Sequence, residues 1–166
     1  MTRSTVIGTA LVLALAAGTA AAQEATYNTR TLTPESALKV AQAALKSCRD
    51  SGYQVAVAVV DRSGLAQVML RDRYAGAHTP KTAIGKAWTA VSFRSNTTGI
   101  AEISQPGKPS SGLRNLPNVV ALGGGMPIEA GGSILGGIGV SGAPAADLDD
   151  KCAMAGIAAI KDALEF

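Results

Sequence analysis

Two short apolar segments separated by a tight turn constrain the fold of this chain more than any other feature. Residues 53–60 form a nearly continuous apolar run rich in valine, and residues 65–71 form a second run. Branched aliphatic residues favour strands. In the turn between the runs, Asp61 can hydrogen-bond the backbone ahead of it and Gly64 can adopt positive φ. The sequence therefore predicts a β-hairpin over residues 53–71.

Helix signals flank this hairpin, and a second pair of strands follows. Thr33 and Pro34 supply a capping hydroxyl and a proline at the first helical position, and apolar residues recur at helical spacing as far as a glycine stop at residue 52. Thr79 and Pro80 start a second helix in the same way. Two hairpins with helices between them predict an α+β fold with an antiparallel sheet. The remaining predicted elements are a short helix near 98–103, a third strand at 119–122 that resumes at 126–128, a fourth strand at 133–140 and a last helix at 147–164.

The N-terminal segment has the order of a secretory signal peptide. Arg3 provides a positive charge, residues 6–17 form an apolar run too short to span a bilayer, and Ala20 and Ala22 place small residues at the cleavage positions. We expect cleavage near Ala22 and a periplasmic or secreted protein. The expected division is a signal peptide at 1–22, a flexible leader at 23–32 and one domain at 33–166.

Small residues dominate the rest of the composition. The chain contains 19 glycines, while only 4% of its residues are aromatic. A core of small residues buries little apolar area per residue, so we expect other subunits to cover part of the surface in a homo-oligomer. The net charge of +3 is not gathered into a basic run, which argues against a nucleic-acid surface. Since no second long apolar segment follows, we expect no membrane span in the mature chain.

Cys48 and Cys152 are the two cysteines of the chain. In an exported protein such a pair favours one disulfide, which would link the first and last helices. The alternative is two buried free thiols that behave as small apolar residues.

The segment at 137–142 matches the G-x-G-x-x-G pattern of dinucleotide-binding folds literally. Such folds need a further parallel strand after the next helix, and none follows here, so we expect these glycines to allow a bulge or the close approach of another surface. Ser141 loosely resembles the nucleophile of a serine hydrolase, but the second glycine is displaced and His78 is the one histidine. A turn or cap role is therefore the expectation for Ser141.

Four sequence blocks together resemble one known family. They are VAVVDRSG at 57–64, AIGKAWTA at 83–90, LGGGMPI at 122–128 and GIGVSG at 137–142. On these blocks the chain resembles, from about residue 32 to residue 164, the GlcG/HbpS-like family, also called haem-degrading or DUF336, which includes the C-terminal domain of PduO. The resemblance implies a profilin-like α+β fold, assembly into oligomers and, in several members, binding of haem or related tetrapyrroles. HbpS-like members are exported and linked to haem sensing.

If haem is the cofactor, as the resemblance implies, iron chemistry indicates where it would bind. Haem iron needs a nitrogen, oxygen or sulfur donor, and His78 is the single imidazole of the chain. One imidazole without nearby cysteines cannot make a closed zinc site. The alternative is that His78 only starts a helix and that haem lies in an apolar seam between subunits. The residues expected at the site are His78 as the iron ligand with Tyr74 as the second choice, Arg71, Arg73 and Lys86 at the propionates, and Trp88 over the ring.

Two classes of function are open at this point. The resemblance favours a binding protein over an enzyme, and it implies an exported haem-binding protein that scavenges, buffers or senses haem. The alternative is an enzyme or accessory protein that acts on a small organic acid or alcohol. Such a protein would bind a carboxylate through Lys86, Arg94 and the backbone amides of Gly123, Gly124 and Gly125. A Soret band on haem titration distinguishes the first class from the second.

Overall fold

The helices and strands follow one another in the predicted order. The computed structural model describes residues 25–165, so the signal segment expected at 1–22 lies outside the described residues. Among the described residues, no helix is long and apolar enough to cross a membrane. The elements are α1 (Pro34–Asp50), β1 (Ala56–Asp61), β2 (Ala66–Arg71), α2 (Thr79–Phe93), α3 (Thr97–Ile103), a 3-10 helix (Ser111–Asn115), β3 (Gly125–Ala130), β4 (Ser133–Ser141), α4 (Ala146–Ala158) and α5 (Lys161–Leu164).

Within residues 25–165, four strands form one antiparallel sheet in the order β2-β1-β4-β3. β1 pairs with β2 on one side and with β4 on the other, and β3 pairs with β4. Both predicted hairpins are therefore present, and they join along β1 and β4. The α+β fold expected from the order of elements is confirmed.

Helices cover both faces of this sheet. Val57 and Val59 point to the face that α1 and α4 cover, where they belong to the main buried cluster. Ala56 and Ala58 point to the opposite face and pack against Ala83 of α2. Because side chains alternate along a strand, β1 separates a thick core under α1 and α4 from a thin, alanine-lined contact with α2.

Glycines allow α2 to lie very close to β4. A Cβ atom at Gly139 would stand 2.0 Å from Ala83 O, and one at Gly137 would stand 2.6 Å from Val91 Cγ2. These distances leave no space for a side chain at either position. The close approach expected of the G-x-G-x-x-G segment is confirmed, and it brings the start of α2 next to the end of β4.

A disulfide joins Cys48 of α1 to Cys152 of α4, which are 104 residues apart in sequence. Both cysteines are buried in the main core. The disulfide expected from the cysteine pair is present, and the alternative of two free thiols does not apply.

Two helix boundaries differ from the prediction. Thr79 does not cap α2, because His78 occupies the cap position and Thr79 Oγ1 instead donates to a carbonyl of the preceding loop at 2.8 Å. The last helix, predicted as one segment at 147–164, is broken after Ala158. The break lies at Ile160, which leaves helical geometry with φ −116° and ψ 9° and buries its side chain in the main core.

Two further segments also differ from expectation. Residues 119–122 are irregular rather than a strand, because Val120 N–H donates to Thr89 Oγ1 of α2 and not to a neighbouring strand. The leader expected to be flexible at 23–32 is anchored at its end. There Leu32 is buried, and its N–H donates to Leu135 O at 3.2 Å.

Candidate functional site

A cavity of about 670 Å³ opens at the end of the sheet, where β4 ends and α2 and α4 begin. Its lining comes chiefly from the loop before α2, the first turns of α2, the end of β4 and the first turn of α4. The volume lies within the roughly 300–1,000 Å³ typical of small-molecule sites. Tyr74, His78 and Lys86 all belong to this lining.

Tyr74 and His78 form the outer wall of the cavity. Both lie in the loop between β2 and α2, and both are exposed to solvent. His78 holds the cap position of α2, but its side chain makes no capping hydrogen bond. Gly76 leaves room for the imidazole, because a Cβ atom there would stand 2.8 Å from His78 Cε1. The two candidate iron donors thus share one wall.

A buried ion pair lies at the inner end of the cavity. Lys86 is 3% exposed, and its Nζ donates to Asp149 Oδ2 and to Val140 O, each at 2.8 Å. Asp149 Oδ1 accepts the N–H of Ala143 at 3.0 Å. Burial raises the pKa of the Asp149 carboxyl above its ordinary value, while the hydrogen bond from Lys86 acts against that shift. Lys86 therefore reaches the cavity as one half of a neutralised pair, not as the free cation expected from the sequence.

Ser141, the last residue of β4, also lines the cavity and was not expected there. It is 5% exposed. Because side chains alternate along a strand, Ser141 shares with Gly139 the sheet face that α2 covers. That alternation was the sequence signal that could have placed Ser141 under the start of α2 instead of in a turn.

Three of the residues predicted for the haem site, Trp88, Arg71 and Arg73, lie outside the cavity. Trp88 packs on the β1–β2 turn, where a Cβ atom at Gly64 would stand 2.6 Å from Trp88 Cδ1, so its indole covers the turn and not a ligand. The guanidinium of Arg71 donates to Ala75 O and so closes its own loop. Arg73 lines a neighbouring depression of about 470 Å³, and Tyr74 belongs to the lining of both the depression and the cavity.

The donors proposed for a small organic acid are largely occupied. Gly124 N–H donates to Asp150 Oδ1 at 2.5 Å, and Gly125 N–H donates to Thr97 Oγ1 at 2.8 Å. The chain thus supplies its own carboxylate to this glycine segment. Arg94 is exposed at the far end of α2, where it caps the helix with φ 51°. The structure does not bring these groups together around one ligand.

A family model and solved structures similar to this chain point to the same family of proteins. Residues 32–158 match the model of a family described as haem degrading protein HbpS-like. A crystal structure of a double mutant of HbpS from Streptomyces reticuli is 40% identical with a TM-score of 0.76, and the match covers 86% of this chain and 97% of that one.

Two further matches concern PduO proteins. The crystal structure of a PduOC:heme complex is 31% identical with a TM-score of 0.74, and the match covers 79% of this chain and 96% of that one. The corrinoid adenosyltransferase PduO of Salmonella typhimurium is 32% identical over 124 residues, which are 74% of this chain and 37% of PduO. The matched region therefore spans little more than a third of that enzyme.

Proposed function

The chain belongs to the HbpS-like family of haem degrading proteins, and on that premise we propose that it binds haem in the cavity lined by Tyr74 and His78. The observation that carries the proposal is that both candidate iron donors line this one cavity. The similarity to a relative solved as a haem complex supports it. We propose binding, not turnover, as the primary role.

The residues of the cavity suit a haem group. Imidazole and phenolate oxygen both ligate haem iron in proteins, and the His78 and Tyr74 rings have no hydrogen-bond partner among the described residues that would compete for those atoms. Leu122 and Pro144 add apolar surface to the lining. Bound haem would supply an iron centre, while the chain's own residues would ligate the iron, cover the ring and hold the propionates.

Haem is a better ligand for this chain than a small organic acid held by the glycine segment. The amides of Gly124 and Gly125 already donate to Asp150 and Thr97. Arg94 is exposed at the end of α2 away from the cavity. Only Lys86 of that set lines the cavity.

We further propose that the protein is exported and that it scavenges, buffers or senses haem outside the cytoplasm. The signal-like order of residues 1–22, with cleavage near Ala22, supports export. A disulfide between Cys48 and Cys152 suits an oxidising compartment. The small-residue composition supports assembly into a homo-oligomer.

Substitution of His78 tests the proposed iron ligand. Haemin bound to the His78→Ala protein should show a Soret band at a different position from that of the parent. Its affinity should fall by about tenfold, because a nitrogen donor to the iron is lost. Absorbance titration of both proteins measures the two quantities.

Lys81→Ala is the control for this test. It changes an exposed position in the first turn of α2 and should bind haemin like the parent. An unchanged Soret position and affinity in His78→Ala would exclude His78 as the iron ligand. Tyr74 as the ligand, or haem bound in a seam between subunits, would then explain the binding better.

A further inference from the structure

We propose that the inner end of the cavity is a subsite for a carboxylate group of the ligand, with Ser141 Oγ and Lys86 Nζ as its hydrogen-bond donors. A haem propionate and a free small organic acid present the same carboxylate. The assignment to a propionate rests on the proposed function, whereas the carboxylate chemistry does not.

Ser141 provides the first observation. It is 95% buried, since 5% of its surface is exposed, and it lines the cavity. Its hydroxyl has no hydrogen-bond partner among the described residues. The oxygen is not among the buried polar atoms that lack both a partner and access to solvent, so it remains open to the cavity and free to hydrogen-bond whatever fills it. A ligand atom in the cavity is the partner that the geometry offers.

Lys86 provides the second donor at the same place. An ammonium group has three N–H donors, and Lys86 Nζ uses two of them on Asp149 Oδ2 and Val140 O. The third has no acceptor among the described residues, and Lys86 lines the cavity beside Ser141. The side chain is held in place by its two protein contacts, so binding would not need to order it.

The electrostatics of the inner end suit an anion in spite of Asp149. Among the described residues, Asp149 is the one carboxylate on the cavity lining. Both of its oxygens already accept hydrogen bonds, from Lys86 Nζ and Ala143 N–H. α2 and α4 both begin at the cavity. The N-terminal ends of helices carry partial positive charge, so the two helices add to the attraction for a carboxylate.

The test compares the parent with Ser141→Ala, which removes the hydroxyl and breaks no hydrogen bond within the described part of the chain. Ser133→Ala, at the other end of β4, is the matched control. One arm titrates each protein with haemin and with haemin dimethyl ester, whose propionates are blocked. A second arm titrates each protein with propionate alone and follows binding by NMR shifts.

We expect Ser141→Ala to weaken haemin binding by about tenfold, the scale of a hydrogen bond to a charged group. Haemin dimethyl ester should bind both proteins equally, and Ser133→Ala should behave like the parent. If the parent binds propionate but not haemin, and Ser141→Ala loses the propionate, the subsite stands and the proposed haem function fails. If Ser141→Ala and the parent bind haemin equally and neither binds propionate, the subsite is overturned and the haem function is unaffected. The subsite is also overturned if neither haemin nor propionate binds the parent.

Discussion

Replacing Lys86 with methionine should lower the free energy of unfolding by about 3–5 kcal/mol, the usual cost of removing one partner from a buried ion pair. The side chains of Lys86 and Asp149 are 3% and 5% exposed, and their charged atoms are 2.8 Å apart. Methionine preserves most of the volume of the lysine stem but leaves the Asp149 carboxylate buried without its cation. Urea unfolding followed by circular dichroism measures the difference.

A second ion pair on α4 provides the control. Lys151 and Asp147 are 64% and 68% exposed and 3.3 Å apart. Lys151→Met should therefore change the free energy of unfolding by about 0.5 kcal/mol or less. The double variant Lys86→Met/Asp149→Asn should recover part of the loss, because asparagine is neutral and can still accept the N–H of Ala143. A loss in Lys86→Met no larger than in Lys151→Met would contradict the account of this pair.

The difference in the free energy of unfolding between the parent and Lys86→Met should depend on pH. Burial raises the pKa of Asp149, so the folded state binds this proton more readily than the unfolded state does. The charged carboxyl therefore opposes folding above its raised pKa, and that penalty fades as the pH falls through it. Without Lys86 the pKa should rise further, so the stability gap between parent and Lys86→Met should narrow in acid. A gap that does not change with pH would speak against a buried, uncompensated Asp149.

Removing the disulfide should lower the free energy of unfolding by about as much as Lys86→Met does. Closing a loop of about 100 residues stabilises a folded chain by about 4–5 kcal/mol in the chain-entropy model, and Cys48 and Cys152 are 104 residues apart. We therefore expect the free energy of unfolding of Cys48→Ala/Cys152→Ala to be several kcal/mol below that of the parent. Alanine suits both positions, because the cysteines are buried in an apolar core. Urea unfolding without reductant gives the loss.

Reductant is the internal control for this prediction. It should destabilise the parent towards the double variant and leave the double variant unchanged. Intact-mass measurement after alkylation of the native protein, purified without reductant, checks the bond itself. Two alkylated thiols in the unreduced protein would show that the disulfide does not form.

Local signals were sufficient to predict most of the fold. Asp61 and Gly64 mark the first turn through their own backbone preferences, and Pro34 marks the start of α1. The element boundaries that were predicted wrongly depend on contacts with residues that are distant in the sequence. Residues 119–122 are irregular because Val120 donates to Thr89, which lies 31 residues earlier in the chain.

The cavity could be predicted only in part. His78, Thr82 and Lys86 are spaced four residues apart, so they share one side of α2, and all three line the cavity. Trp88 lies two residues beyond Lys86 and so projects about 200° away around the helix, which explains why it covers the β1–β2 turn instead. The neutralisation of Lys86 was not accessible from the sequence, because its partner Asp149 is 63 residues away.

A haemin titration with the cavity blocked tests the central claim most directly. Ala146 is exposed in the first turn of α4 and lines the cavity, whereas Ala158 is exposed at the other end of the same helix. The account predicts that the parent and Ala158→Trp give the same saturable Soret band. Ala146→Trp should lose affinity by about tenfold or more, because indole occupies the space of the ligand. Equal haemin affinity in Ala146→Trp and the parent, or no saturable band in the parent, would contradict haem binding in this cavity.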